Sequence, residues 1–481
     1  MLERIADRRT SRRLSGRHQK ALSERDRLYE RYASKMSVNP DLIRQLVSFQ
    51  ANKKEPFYRW LKFKEAFSSQ LVGYFIDRFR PETKRKPRIL DPFAGAGTTL
   101  TTSGRLGWRA TGIELLPVGT AAMKARLKAD GVAVKDFESY LAKLQDWIQK
   151  PRTGSYTFPH LGITRGAFSK QTEEAISSLL LFIEHVEDQD IRYLFWFACL
   201  AVLEDVSFTR KDGQYLRWDK RSGRKLKSSF DKGKIHSFWV SIMQKLGIML
   251  DDIRWRNGSA YASNVTILEG SCLDILPTLA ENSFDMVLTS PPYCNRYDYT
   301  RTYALELAFL GYGEDDVKSL RQTLLSATVE NKTKRDYLFE AYHKRSQEAR
   351  YAKAFGAFSN EKALHEVLMI LYKLRDQRKL NNPNIPAMIE NYFLEMCFVV
   401  NELAHVTAPG GKIVMVNDNV QYHGEEIPVD TILSHFAEVA GLKVEEIWVL
   451  ARGKGNSSQQ MGAHGRKELR KCVYVWSKPT E

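Results

Sequence analysis

The chain has 481 residues, 43% of them hydrophobic, and a formal net charge of +16. That length supports a large core, split among two to four domains or held in one domain with long insertions. No apolar run reaches the roughly 18 residues of a membrane-spanning helix, and no Cys-x-x-Cys pair suggests structural zinc, so no membrane partner and no metal are expected.

Residues 1–56 read as a basic, helical N-terminal arm. Leu14, Leu22, Leu28, Tyr29 and Tyr32 are sparse apolar positions among charges, and Pro40 is placed to open a second helix over Asp41–Phe49. Glu3, Asp7, Glu24 and Asp26 argue against an organelle transit peptide, which leaves a cytoplasmic, nucleoid-associated location as the expectation. Residues 1–60 carry 15 Lys/Arg against 7 Asp/Glu, and residues 210–234 carry 10 against 3, while the remainder is nearly neutral. Charge concentrated in this way suits a polyanion whose counterions are released on binding. It also suits a solvated helix and a basic loop.

Residues 57–118 begin with an aromatic loop and an amphipathic helix in which Leu71, Phe75, Ile76 and Phe79 fall at helical spacing. A short strand over Pro87–Leu90 then runs into Asp91-Pro92-Phe93-Ala94-Gly95-Ala96-Gly97-Thr98-Thr99. A helix starts near Thr98, and the next strand ends at Glu114. This β-loop-α-β unit opens a doubly wound parallel sheet. Residues 119–262 read as helices around the basic stretch, with no further strand. Residues 263–312 resume the sheet pattern with strands 264–270 and 284–289, the second followed by Ser290-Pro291-Pro292-Tyr293. Residues 313–387 form a charged helical block, and residues 388–481 return to helix and strand, closing on a hairpin of strands 443–451 and 469–477. One α/β domain with two largely helical insertions and an N-terminal arm is the expected architecture.

Two glycines one residue apart allow a sharp turn and a close ligand approach. The third glycine of a dinucleotide fingerprint is missing, since Leu100 occupies its place, and no Walker lysine follows. The acids carry more information. Asp91 ends one strand and Glu114 the next. A carboxylate at Asp91 suits the ammonium of S-adenosylmethionine, and one at Glu114 can accept from both ribose hydroxyls. A generic nucleotide-fold turn is the plainer reading.

Asp91–Thr99 matches without a gap the form D-P-F-x-G-x-G-T-T of the amino-group (N4-cytosine and N6-adenine) DNA methyltransferases, which the chain therefore resembles. The resemblance implies a Rossmann-like S-adenosylmethionine-dependent methyltransferase sheet, with Phe93, Gly95, Gly97 and Thr98 in the cofactor loop. In that family an upstream segment closes over the methionine end of the cofactor, and Lys64-Glu65-Ala66-Phe67-Ser68 looks like it, implicating Lys64, Phe67 and Ser68. Ser68 serves equally well as a helix cap. By the same analogy Asp274 contacts the adenine amino group, or else caps its helix.

Ser290–Tyr293 has a chemical rationale. An exocyclic amine of cytosine or adenine is a poor nucleophile, because its lone pair is delocalised into the ring. Acceptors on Ser290 and on the Pro291 carbonyl, in a backbone stiffened by Pro292, favour the geometry that exposes this pair. Tyr293 offers a flat face to an extruded base. A bare diproline turn is the alternative for the motif in isolation. Within the family SPPY is associated mostly with cytosine N4, whereas DPPY and NPPY are associated mostly with adenine N6. Cys294 is read as a pocket neighbour and not as a covalent nucleophile. The motif order is similar to the group labelled α, except that the long insertion precedes the strand leading to Asp274.

The basic stretch mixes bases and aromatics. Arg210, Lys211 and Arg217 are candidate phosphate ligands, Gln214 a candidate base reader and Trp218 a candidate stacking residue. Arg296 and Arg301 lie near the target by adjacency to the SPPY loop. The plainer readings are a hairpin that touches phosphate alone, and helix packing. The expected enzyme is a site-specific methyltransferase acting on double-stranded DNA, with a restriction or defence nuclease as a possible partner. Adenine-N6 methylation, RNA methylation and a catalytically dead DNA-binding fold stand as alternatives.

Overall fold

A computed structural model describes residues 22–212, 216–225, 229–256, 260–450 and 469–480. Its strands are β1 Met36–Val38, β2 Arg88–Asp91, β3 Arg109–Glu114, β4 Thr209–Lys211, β5 Leu216–Trp218, β6 Val265–Glu269, β7 Phe284–Thr289, β8 Thr407–Asp418, β9 Val420–Tyr422, β10 Glu425–Ile427, β11 Lys443–Val449 and β12 Lys471–Ser477. Eight of them form one mixed sheet in the order β1-β11-β12-β8-β7-β2-β3-β6. Neighbours from β8 through β6 run parallel, and β12 runs antiparallel to both β8 and β11. The carboxyl ends of β2, β3, β7 and β8 therefore share one rim with the amino end of β12.

Alternation along the strands divides the core into two layers. Ile89, Met286, Leu288 and Val414 face Leu71, Phe75 and Ile76 of helix Ser69–Arg78 and Leu100 of helix Thr98–Arg105. Leu90, Val287, Ile413 and Met415 face the other side, against helices Ile385–Val406 and Val429–Val439. Each fully buried Leu or Phe of these layers contributes about 1.5–3 kcal/mol relative to exposure. Phe137, Phe195 and Leu250 of the first expected insertion share one core cluster with Phe57, Trp60, Ala96 and Leu305 from outside it. The second insertion does not stand apart: Leu338, Tyr342 and Leu364 join the layer beneath Leu90.

Three expectations change. Residues 1–21 of the expected arm lie outside the described residues, and residues 22–56 hold one α-helix and a strand in place of the expected second helix. Helix Glu24–Tyr32 leads into β1, which pairs parallel with β11 and extends the sheet edge. Residues 41–49 form turns instead of a helix, because Leu42 packs on the sheet layer and the Leu46 carbonyl accepts from Ser68 N–H. The basic stretch contains a two-stranded ribbon, β4–β5, and a second ribbon, β9–β10, follows β8; strands this short are weak signals in a sequence.

Candidate active site

The two glycine- and proline-rich loops meet. A cavity of about 460 Å³ at the carboxyl rim is lined by Asp91–Gly95 and Thr98 from the loop after β2, by Glu114 from the end of β3, and by Ser290–Tyr293 from the loop after β7. Phe63–Phe67 from the upstream segment and Gly270–Cys272 from the loop after β6 complete much of the wall.

Asp91 ties the two loops together. One of its oxygens accepts from the Thr289 hydroxyl at 2.7 Å and from Phe93 N–H at 3.1 Å, and the other accepts from the Thr99 hydroxyl at 2.7 Å. Burial pushes its carboxyl up to about 6, against the pull of these donors. Glu114 accepts from Leu116 N–H at 2.6 Å and from Gly95 N–H at 2.5 Å, which fixes the loop over the end of β3. Burial pushes Glu114 up to about 7, and the neighbouring Asp91 adds to the rise.

The loop conformation depends on two glycines, one of which carried no motif signal. Gly97 has φ +78°, and a Cβ there would overlap the Met123 side chain. A Cβ on Gly119 would overlap the Gly95 carbonyl, so helix Pro117–Ala129 can approach the loop only with glycine at that point. Behind the loop, the buried Arg126 donates to the carbonyls of Ala96 and Phe57.

In the loop after β7, the Ser290 hydroxyl donates to the Tyr293 hydroxyl at 3.4 Å, leaving its lone pairs free to accept. Burial raises the Tyr293 phenol, and the nearby Asp418 raises it further, so it stays neutral. The Cys294 thiol is fully buried, and that burial raises it far from thiolate formation, so it is no nucleophile. The Cys294 carbonyl accepts from the Tyr422 hydroxyl at 2.8 Å, which pins the loop to β9.

Other expected residues fall elsewhere. Ser68 does not line the cavity; its hydroxyl accepts from Leu71 N–H and caps helix Ser69–Arg78. Asp274 does not line it either. The Tyr337 hydroxyl donates to its carboxylate, and Gly270–Cys272 form the wall in its place. Lys64 reaches the wall, but its ammonium donates to the Lys211 carbonyl at 2.8 Å.

Strand alternation sorts the basic ribbon. Arg210 and Arg217 are exposed cross-strand partners, whereas Lys211 and Trp218 point inward. Lys211 is therefore not a phosphate ligand. It pairs with Glu306 at 2.5 Å in the interior, lies 4.5 Å from the Tyr303 ring centroid, and stays charged because Glu306 and Glu204 outweigh the effect of burial. Trp218 is 9% exposed and covered by the Arg224 guanidinium, so it is a packing residue and not a free stacking surface. Gln214 lies outside the described residues, as do residues 451–468. Arg301 is engaged by Asp298 and Glu330, and Arg296 reaches Asn381. Sequence reasoning missed Glu65, a cavity-wall carboxylate that accepts from the hydroxyls of Tyr297 and Tyr303.

Similarity to known proteins extends over nearly the whole chain. It is 46% identical over 464 residues to the Type II methyltransferase M.AvaI of Nostoc sp., covering 94% of this chain and 92% of that protein, and the same holds for M.AvaI of Anabaena variabilis. It is 38% identical over 477 residues to the Type II methyltransferase M.BsoBI of Geobacillus stearothermophilus, covering 95% of this chain and 92% of that one. The chain belongs to the Type II DNA methyltransferases. No protein-family model matches it.

Methyltransferases of this type act on double-stranded DNA in restriction–modification, and their methyl donor is S-adenosylmethionine. The cavity of this Type II methyltransferase fits that cofactor. The buried Asp91 and half-buried Glu114, both with raised pKa values, gain from a neighbouring ammonium and sulfonium, and Phe63, Phe67, Phe93 and Ile113 supply apolar wall. No helix among the described residues is long and apolar enough to cross a membrane, and the described residues hold no cluster that could bind a metal.

Proposed function

We propose that this methyltransferase modifies the exocyclic N4 of a cytosine extruded from duplex DNA, as the modification half of a pair with a nuclease. The observation that carries this reading is the shared cavity: the acid-bearing glycine loop and Ser290–Tyr293 open into one space, joined by the Thr289–Asp91 hydrogen bond. When bound, S-adenosylmethionine supplies an electrophilic methyl group on sulfonium. Glu114 would take the ribose hydroxyls, Asp91 would meet the methionine ammonium, and Phe67 with Phe93 would cover the apolar part of the cofactor.

On the base side, the Ser290 hydroxyl and the Pro291 carbonyl accept the two amine hydrogens, turning the nitrogen lone pair toward the cofactor half of the cavity. Tyr293, neutral and backed by buried neighbours, supports the base face. No strong general base is required, because the proton leaves after the nitrogen has become cationic. Positioning and exclusion of water account for the rate.

In this reading the duplex runs against the β4–β5 ribbon. Exposed Arg210 and Arg217 stand beside Asp212, which itself lines the cavity, so phosphates at this ribbon would lie next to the extruded base. The test is incubation of duplex DNA with labelled S-adenosylmethionine, followed by digestion and nucleoside mass spectrometry. N4-methylcytosine is expected. N6-methyladenine alone, or label in RNA and not in DNA, would reject the proposal.

A further inference from the structure

Ser290 and Pro291 supply acceptors, which suit an amine. Cytosine also presents ring N3 and carbonyl O2 on the same edge, and both need a donor. Enzymes that extrude a base read that edge by hydrogen bonds. Among the described residues lining the cavity, Lys64 and Lys471 are the only lysine or arginine side chains. Lys64 is committed to the Lys211 carbonyl.

Lys471 sits at the amino end of β12, in register with Asp418 at the carboxyl end of β8. β8 is the neighbour of β7, and the SPPY loop leaves the same end of β7. The Lys471 ammonium pairs with Asp418 at 2.5 Å, and their side chains are 30% and 11% exposed. Lys471 and Tyr293 line the same cavity, so the ion pair opens into the space that holds the ring assigned to the base face. An ammonium has three donors. One is spent on Asp418, leaving two for the cavity from a head group whose position the carboxylate fixes.

We propose that Lys471, anchored by Asp418, donates to the N3/O2 edge of the extruded cytosine and so helps select the base. The inference rests on the cytosine reading above. It also explains a selection that Ser290 and Pro291 cannot make, since any exocyclic amine satisfies them. Adenine carries C2–H where cytosine carries O2, so a donor on that side favours cytosine. A donor there withdraws electrons from the ring, so its effect belongs in binding and KM and not in a higher kcat.

The experiment compares wild type with Lys471→Met and Lys471→Arg on two duplexes built on the sequence that the wild type methylates. One carries the target cytosine, and the other an abasic site in its place. Lys471→Met should weaken the cytosine duplex about 10–100-fold and leave the abasic duplex unchanged. Lys471→Arg keeps a donor and should recover most of the loss. S-adenosylmethionine affinity should not move, whereas thermal unfolding should shift down in Lys471→Met, which leaves the buried Asp418 unpaired, and less in Lys471→Arg. Equal losses on both duplexes would put Lys471 on phosphate and overturn the proposal, as would no loss on either, or a parallel loss of cofactor binding. If Lys471→Met does not fold, Asp418→Asn carries the same comparison, with a smaller loss confined to the cytosine duplex. The product of the wild type is read first. N6-methyladenine there rejects the function itself, whereas N4-methylcytosine with no base-dependent loss rejects only the role of Lys471.

Discussion

The SPPY rim and the β4–β5 ribbon are both short polar segments rich in chemistry, yet they use their residues in opposite ways. At the rim the residues named by sequence, Ser290 to Tyr293 and Asp91 to Gly95, all reach one cavity. In the ribbon a run of like residues is split by the pleat: Arg210 and Arg217 face outward, while Lys211 and Trp218 are interior. A loop at a strand end delivers consecutive side chains to one place, whereas a strand delivers every other one. A charge run is therefore not yet a binding surface.

The largest expected effect separates the two faces of the ribbon. Lys211→Met should lower unfolding free energy by about 3–5 kcal/mol, because it leaves the buried Glu306 unpaired. Adding Glu306→Leu should restore most of that in thermal or denaturant unfolding. A single variant as stable as wild type would return Lys211 to the surface. At the rim, Tyr293→Ala should reduce methylation roughly 100-fold, with cofactor affinity within about twofold by calorimetry, since stacking on a base is worth about 1–3 kcal/mol. Glu114→Gln should do the reverse, weakening cofactor binding about tenfold or more; equal affinities would remove Glu114 from the site.

Glu114 also sets a pH dependence. Its carboxyl is held at about 7, above the ordinary 4.5 of the unfolded chain. The folded protein thus binds a proton that the unfolded chain releases, and unliganded stability should fall as pH rises from 4.5 toward 7. A cationic ligand needs the ionised acid, so S-adenosylmethionine affinity should climb through pH 6–8 and then level off. A flat profile by calorimetry would contradict the assignment. The smallest effect is on the outer face of the ribbon. Arg210→Ala with Arg217→Ala should leave stability within about 0.5 kcal/mol and reduce the salt slope of DNA binding by about 2.

Much of the sheet was legible, because β2, β3, β6, β7, β11 and β12 announce themselves by apolar runs bounded by turns. β1 was not. Three residues cannot show a period, and their pairing with β11, about 400 positions later, is a tertiary fact. Asp91, Glu114 and the SPPY loop were legible because their spacing reflects strand ends. Gly119, Arg126, Glu65 and Lys471 were not, since each acts on a segment remote in sequence. Ser68 and Asp274 each allow two readings in the sequence; the structure makes Ser68 the cap of its helix and ties Asp274 to Tyr337.

The most direct measurement is a crystal structure of the full chain with a non-transferable amine analogue of S-adenosylmethionine and a duplex carrying the methylated sequence. The analogue should lie between Gly95, Glu114 and Pro292, with the amine that replaces the methyl-bearing sulfonium pointing at a cytosine N4 held by Ser290 and Pro291. An analogue bound away from Glu114, or a target base that never leaves the duplex to enter the cavity, would contradict the shared-cavity mechanism.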